Sequence, residues 1–202
     1  MIIVLSQTLN IPYEATMVNQ MFEGGLDLFH IRKYDLPDIE VIHYVSNLND
    51  DYKDKLVLHS HHHLASELGI KRLHFNTESR VKKNWKQLIQ QYIISTSVHS
   101  IEEFNQLENS WDYAFLSPVY SSISKVGYGE NSTILSELSF RKNVEVDLIG
   151  LSGITFQNMS NVLEKGCDGV ALMGSVWNQK DPASYVQACK KQEDIFKGSI
   201  VS

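Results

Sequence analysis

Between Val146 and Ser175 the chain reads VDLIGLSGITFQNMSNVLEKGCDGVALMGS, and the reading of this stretch decides the fold. Val146–Gly150 is a short apolar run bounded by glycine, as expected of a buried strand. After Ile154 the apolar residues Met159, Val162 and Leu163 fall at i, i+3 and i+4, so a helix follows that buries one face. Gly166, directly after Lys165, ends that helix, and a second strand, Gly169–Met173, starts almost at once. Strands joined through a crossover helix run parallel. Both strands also end in glycine turns, Gly150-Leu151-Ser152-Gly153 and Met173-Gly174-Ser175. Glycine lets backbone N–H groups approach an anion, and the start of the next helix adds its dipole.

The same unit recurs outward to both ends. Strands are expected at Ile2–Leu5, Leu26–Ile31, Lys55–His59, Arg72–Phe75, Tyr92–Ser97 and Tyr113–Leu116, in addition to the two above. Ser100-Ile101-Glu102-Glu103 is a capping box, and Asp181-Pro182 sets an N-cap before a proline at the first helical position. Gly24-Gly25 and Gly69 stop the first and third helices. Eight strand and helix pairs without a long linker predict an α/β chain forming a single-domain (β/α)8 TIM barrel over residues 1–202. Its active site is expected at the C-terminal ends of the strands. An open doubly wound sheet would need a topological switch point, and the first strand is followed by no GxGxxG run.

Composition narrows the function classes. Of 202 residues, 43% are hydrophobic and 21% charged, which fits an ordinary globular core. The net charge of -6 argues against general nucleic-acid binding while leaving room for a local anion pocket. The apolar start, Met1 to Ser6, is too short to span a bilayer and lacks a basic flank, so no membrane partner is expected. Cys167 and Cys189 have no CxxC spacing, which predicts two reduced, buried thiols in a cytoplasmic protein. Trp85, Trp111 and Trp177 read as packing residues of the barrel exterior or of a contact in a homo-oligomer.

Period-2 alternation places Leu28, His30 and Arg32 on one strand face and Phe29 and Ile31 on the other, so His30 and Arg32 aim into the barrel. His59 ends the third strand, His74 lies in the fourth, and His99 follows the fifth. Tyr113–Leu116 runs into Ser117-Pro118-Val119-Tyr120-Ser121-Ser122-Ile123-Ser124-Lys125, a set of hydroxyls closing on a flexible cation, as phosphate binding requires. Arg32, Lys33, Ser97, Ser122, Ser124, Lys125 and the two glycine turns exceed what one monophosphate needs. Two phosphorylated groups bound side by side are expected.

Four segments resemble the thiamine phosphate synthase family and its thiazole tautomerase relatives over nearly the whole chain: Phe29–Lys33, Ile94–Glu103, Asp112–Lys125 and Gly150–Ser175. The resemblance implies a magnesium-assisted transferase that joins a pyrimidine methyl pyrophosphate to a thiazole phosphate and releases pyrophosphate. It assigns Arg32 and Lys125 as catalytic cations, and Arg32, Ser97 and Lys125 to the pyrimidine pyrophosphate. Where the family has glutamine, arginine, glutamate and lysine, this chain has His30, Arg32, Lys33 and Tyr34. Lys33 is therefore expected as the substitute catalytic cation, with His30, Lys33 and His59 also at the pyrimidine pyrophosphate. Ser122, Ile123, Ser124, Gly153, Met173, Gly174 and Ser175 fall to the thiazole phosphate. The chain departs from the family where an asparagine-aspartate pair follows the third strand, since His59-Ser60 stands there. Only Ser60 and Glu78 remain as candidate magnesium ligands, a weak set for a cation that prefers hard oxygens, so magnesium could also arrive on the pyrophosphate. The tautomerase relatives carry a histidine where this chain has Pro118. An isomerase acting on a thiazole phosphate, or a paralogue that binds thiamine phosphate or its precursors without turnover, are the rival readings.

One further pattern is His59-Ser60-His61-His62-His63. Imidazoles bind zinc or nickel, and a helix would put His59 and His63 on one face. No cysteine or carboxylate in the local sequence completes a set, so a polar loop and exposed helical turn is the simpler expectation.

Overall fold

The structure, a computed structural model, describes residues 1–202 apart from Asn84, Ser124, Val126 and Ser202, with Ile200 and Val201 described by backbone alone. Eight parallel strands close into a barrel in sequence order, with β1 hydrogen-bonded to both β2 and β8. They are β1 Ile2–Leu5, β2 Leu28–Ile31, β3 Leu56–Leu58, β4 Arg72–Phe75, β5 Ile93–Val98, β6 Tyr113–Leu116, β7 Asp147–Leu151 and β8 Gly169–Leu172. The (β/α)8 expectation is met, and the strand ends agree with the sequence reading to within two residues.

Helices fill the connections: α1 Glu14–Glu23, α2 Asp38–Ser46, α3 Ala65–Leu68, α4 Thr77–Val81, α5 Ile101–Asn105, α6 Ile134–Glu137, α7 Met159–Glu164, α8 Gly174–Trp177 and α9 Pro182–Val201. The expected caps are present. The Ser100 hydroxyl accepts from the Glu103 amide at 3.1 Å, while Glu103 reaches back to accept from the His99 amide at 2.7 Å. Asp181 accepts from the Ser184 amide at 3.0 Å. Among the described residues no helix is long and apolar enough to cross a membrane.

Alternation along each strand divides the apolar residues into two cores. Ile3, Leu5, Leu28, Val57, Tyr113, Phe115, Ile149 and Ala171 fill the barrel interior. Outward residues such as Val4, Phe29, Ile31, Leu58 and Leu116 pack beneath the helices. Each fully buried Phe or Leu of that layer stabilises the fold by about 1.5–3 kcal/mol. Gly150 sets how closely α7 approaches: a Cβ there would lie 2.7 Å from Cγ1 of Val162. Trp85 and Trp111 pack in the outer core with ring centroids 4.5 Å apart and planes tilted by 51°, and the Trp177 indole donates to the Leu5 carbonyl at 2.7 Å. Both cysteines are free and buried, as expected, and burial pushes each thiol up to about 12.

Candidate active site

The C-terminal ends of the strands open on a cavity of about 340 Å³. Its wall carries Arg32 beyond β2, His59 beyond β3, Ser97 in β5, Ser122, Ile123 and Lys125 beyond β6, Gly153 beyond β7, and Met173, Gly174 and Ser175 beyond β8. These are most of the residues the sequence singles out, gathered from six strand ends. Ser124 lies outside the described residues.

Two of the wall residues are cations. The Arg32 guanidinium contacts Sδ of Met173 at 3.2 Å, and Nζ of Lys125 lies 4.9 Å above the Tyr128 ring. Among the described residues neither has a carboxylate partner, and no Asp or Glu lines the cavity. Cations without acidic partners and several hydroxyls facing one cavity are the groups that recognition of an anion uses.

The segment after β6 is fixed to the segment after β7. Val119 and Tyr120 donate their amides to the carbonyls of Leu151 and Ser152 at 2.9 and 3.1 Å. Ser122 donates its amide to the Tyr128 carbonyl at 2.8 Å, and its hydroxyl accepts from the Lys125 amide at 3.1 Å. Gly153 sits at φ +64, where a Cβ would lie 2.6 Å from the Tyr120 Cβ. Only glycine combines that backbone angle with so close an approach.

Beneath the cavity lies a polar cluster inside the barrel. His30 Nδ1 is 2.6 Å from His59 Nε2, and His30 Nε2 is 2.6 Å from the Tyr113 hydroxyl. His59 Nδ1 meets the Tyr34 hydroxyl at 3.1 Å. His74 bonds the hydroxyls of Ser95 and Ser97 at 2.9 and 3.0 Å. The His59 and His74 rings stack with centroids 4.2 Å apart. Burial, then the neighbouring His74 and Arg32 charges, holds His30 well below the ordinary imidazole range. Burial and the same kind of neighbours, chiefly His74, do so for His59. Burial, aided by Arg32, lowers His74 to about 3. All three rings are therefore neutral at neutral pH.

Several expected site residues lie elsewhere. Lys33 does not reach the cavity. The alternation that aims Arg32 inward turns Lys33 outward, and its ammonium is wholly buried against Glu14 at 2.6 Å and the Leu9 carbonyl at 2.9 Å. His30 belongs to the layer below the cavity rather than its wall. The magnesium candidates are not brought together there: the Ser60 hydroxyl bonds His61 Nδ1 at 2.7 Å, and exposed Glu78 pairs with Lys82 at 2.5 Å. The residues present do not fit a carboxylate-held magnesium. His59 and His63 share no helix face either. His59 turns into the barrel, whereas His63 meets Asp38 at 2.8 Å on the surface.

The sequence reading left Tyr34, Asn76, Thr77 and Tyr128 out of the wall, and all four line it, as do Ser117 and Ser152 from the two segments it did single out. Thr77 donates its hydroxyl to the Ser97 carbonyl at 3.2 Å, bracing the β5 end. For Tyr34 a signal existed, since it opens the loop just after the inward Arg32.

Comparison with known proteins agrees with this geometry. The family model for thiamine monophosphate synthase matches residues 1–176. The thiamine-phosphate synthase of Bacillus velezensis is 24% identical over 190 residues, covering 90% of this chain and 84% of its own. That of Bacteroides thetaiotaomicron is 26% identical over 186 residues, covering 87% and 88%. The crystal structure of thiamine phosphate pyrophosphorylase from Bacteroides thetaiotaomicron shares the fold, with a TM-score of 0.79, 24% identity, and coverage of 96% of this chain and 98% of that one. A closed barrel whose mouth gathers two cations, serine hydroxyls and glycine turns, in a chain that the family model matches over residues 1–176, belongs to the thiamine monophosphate synthase family.

Proposed function

We propose that the chain is a transferase of thiamine biosynthesis that joins 4-amino-2-methyl-5-pyrimidinylmethyl diphosphate to 4-methyl-5-thiazolyl-ethyl phosphate. The observation that carries this reading is the pair of cations, Arg32 and Lys125, that have no carboxylate partner among the described residues, in a cavity that no described carboxylate lines. A pyrophosphate leaving group brings several negative charges, and cations fixed in a partly desolvated cavity stabilise it most as the bond to carbon breaks. The C–O bond to the pyrimidine methylene breaks with its electrons going to pyrophosphate, and the thiazole nitrogen lone pair forms the new C–N bond. The protein's part is to hold the two reactants in line and exclude water.

In this assignment Arg32, Lys125 and Ser97 hold the pyrophosphate, with His59 beside the pyrimidine. Ser122, Ile123, Gly153 and the turn at Met173, Gly174 and Ser175 take the thiazole phosphate. Magnesium enters as part of the pyrophosphate substrate. The test is pyrophosphate release by the purified protein given both substrates, with each omitted in turn. Release that needs both, with thiamine phosphate formed, supports the transferase. No release, with a rise in melting temperature on adding thiamine phosphate, would make the chain a binding protein. Turnover of the thiazole phosphate alone would make it an isomerase.

A further inference from the structure

At the floor of the cavity two neutral imidazoles, His59 and His74, line the wall, and a third, His30, lies just beneath them. One ring nitrogen from each of His30, His59 and His74 lies within 4.8 Å of the other two. We propose that these three histidines form a binding site for a late first-row transition metal such as zinc, with the open coordination position facing the cavity.

Three features of the cluster point the same way. The ligand type is the first: three imidazoles and one open position is an arrangement used by catalytic zinc, whereas magnesium takes oxygens. Position comes next. His59 and His74 line the cavity, and His30 lies just beneath them, so a fourth ligand can arrive from the substrate side.

The outer shell is the third. Metal-binding histidines nearly always have their remaining nitrogen hydrogen-bonded, which fixes ring orientation and tautomer. Here Tyr113 holds His30 Nε2, Tyr34 holds His59 Nδ1, and the buried Ser95 holds His74 Nδ1. The nitrogens left to converge are His30 Nδ1, His59 Nε2 and His74 Nε2, the last of which bonds Ser97 at the cavity wall. Zinc–nitrogen bonds of about 2.0–2.1 Å place tetrahedral ligand nitrogens about 3.3 Å apart. Reaching that spacing calls for ring rotations that open the 2.6 Å contact between His30 and His59 and turn the stacked His59 and His74 rings edge-on to a common centre.

Arg32 opposes a cation here, because its guanidinium faces the same space. An anion bound to Arg32 removes that opposition, so metal and pyrophosphate should each raise the other's affinity by the same factor. This coupling rests on the proposed function, whereas metal binding itself does not.

The experiment uses full-length protein without a polyhistidine tag, freed of metal with a chelator and titrated with zinc against a chromogenic zinc indicator. One zinc per chain is expected, with magnesium unable to displace it. H59Q and H74Q should each weaken zinc binding at least tenfold, and Y113F should weaken it by about ten- to a hundredfold through loss of the His30 partner. H63A, which removes the surface contact with Asp38, should leave the affinity unchanged. Cobalt(II) in place of zinc reports the ligand geometry by its visible absorption even where a variant folds poorly. Zinc binding that follows His63 and Asp38, or that survives in both H59Q and H74Q, overturns the site. So does a failure of the wild-type protein to bind zinc. Inorganic pyrophosphate added to the titration tests the coupling: tighter zinc with pyrophosphate supports it, and no change confines the proposal to the metal.

Discussion

Nζ of Lys33, just past β2, lies 2.6 Å from Oε2 of Glu14 at the start of α1, and both side chains are buried, with exposures of 0% and 2%. Removing one partner strands a buried charge, which costs about 3–5 kcal/mol. Lys33→Met is therefore expected to lower stability by that order while leaving the KM for the pyrimidine pyrophosphate unchanged in the folded fraction. Urea unfolding alongside steady-state kinetics checks this. A stable variant with a much weakened KM would return Lys33 to the site.

Arg32 and Lys125 predict the opposite pattern. Neither has an acidic partner among the described residues, so replacing either with alanine removes little folding energy. Each cation is expected to matter most as pyrophosphate charge develops, so R32A and K125A should lower kcat/KM roughly a hundredfold or more. Their unfolding midpoints should stay close to wild type. Unchanged kinetics in both variants would remove the pyrophosphate from this wall.

These two predictions mark what the sequence made legible. Strand alternation placed Leu28, His30 and Arg32 inside the barrel, because a side-chain period of two is a property of the backbone. The same rule, carried one residue further, turns Lys33 outward; its charge had suggested a role that its position does not allow. Of the histidine cluster only the place was legible: the strand assignments put His30, His59 and His74 near the rim, without showing that their rings touch. His30, His59 and His74 are distant in sequence and meet only because β2, β3 and β4 pair in the registers Phe29↔Leu56 and Val57↔Arg72. The histidines that are adjacent in sequence scatter instead: His61 bonds the Leu36 carbonyl, His62 the Leu58 carbonyl and His63 the Asp38 carboxylate.

Gly153 offers a test of the second phosphate. Alanine at φ +64 costs about 1–2 kcal/mol from its backbone alone, and its Cβ would press on Tyr120. The turn would have to shift, carrying its backbone N–H groups away from the cavity. G153A is expected to raise the KM for the thiazole phosphate at least tenfold, with a smaller change for the pyrimidine pyrophosphate. Equal changes in both constants would mean that the turn supports the cavity as a whole and holds no particular phosphate.

The last prediction concerns the fold away from the cavity. Glu193, buried in α9, pairs with Lys190 at 2.8 Å, Lys197 at 2.5 Å and the Met1 amino group. Burial opposes its ionisation, yet the three cations prevail and hold the carboxyl at about 2, below the ordinary 4.5. The folded state therefore binds fewer protons than the unfolded state between those two values. The stabilisation is fully present above pH 4.5 and is lost as pH falls toward 2, at up to about 1.4 kcal/mol per pH unit. E193Q should be less stable than wild type at pH 7, because Lys190, Lys197 and Met1 lose their common anion. It should also lose stability less steeply between pH 4.5 and 3. Parallel pH profiles for the two proteins, measured by urea unfolding, would show that Glu193 does not tie α9 to β1 through its charge.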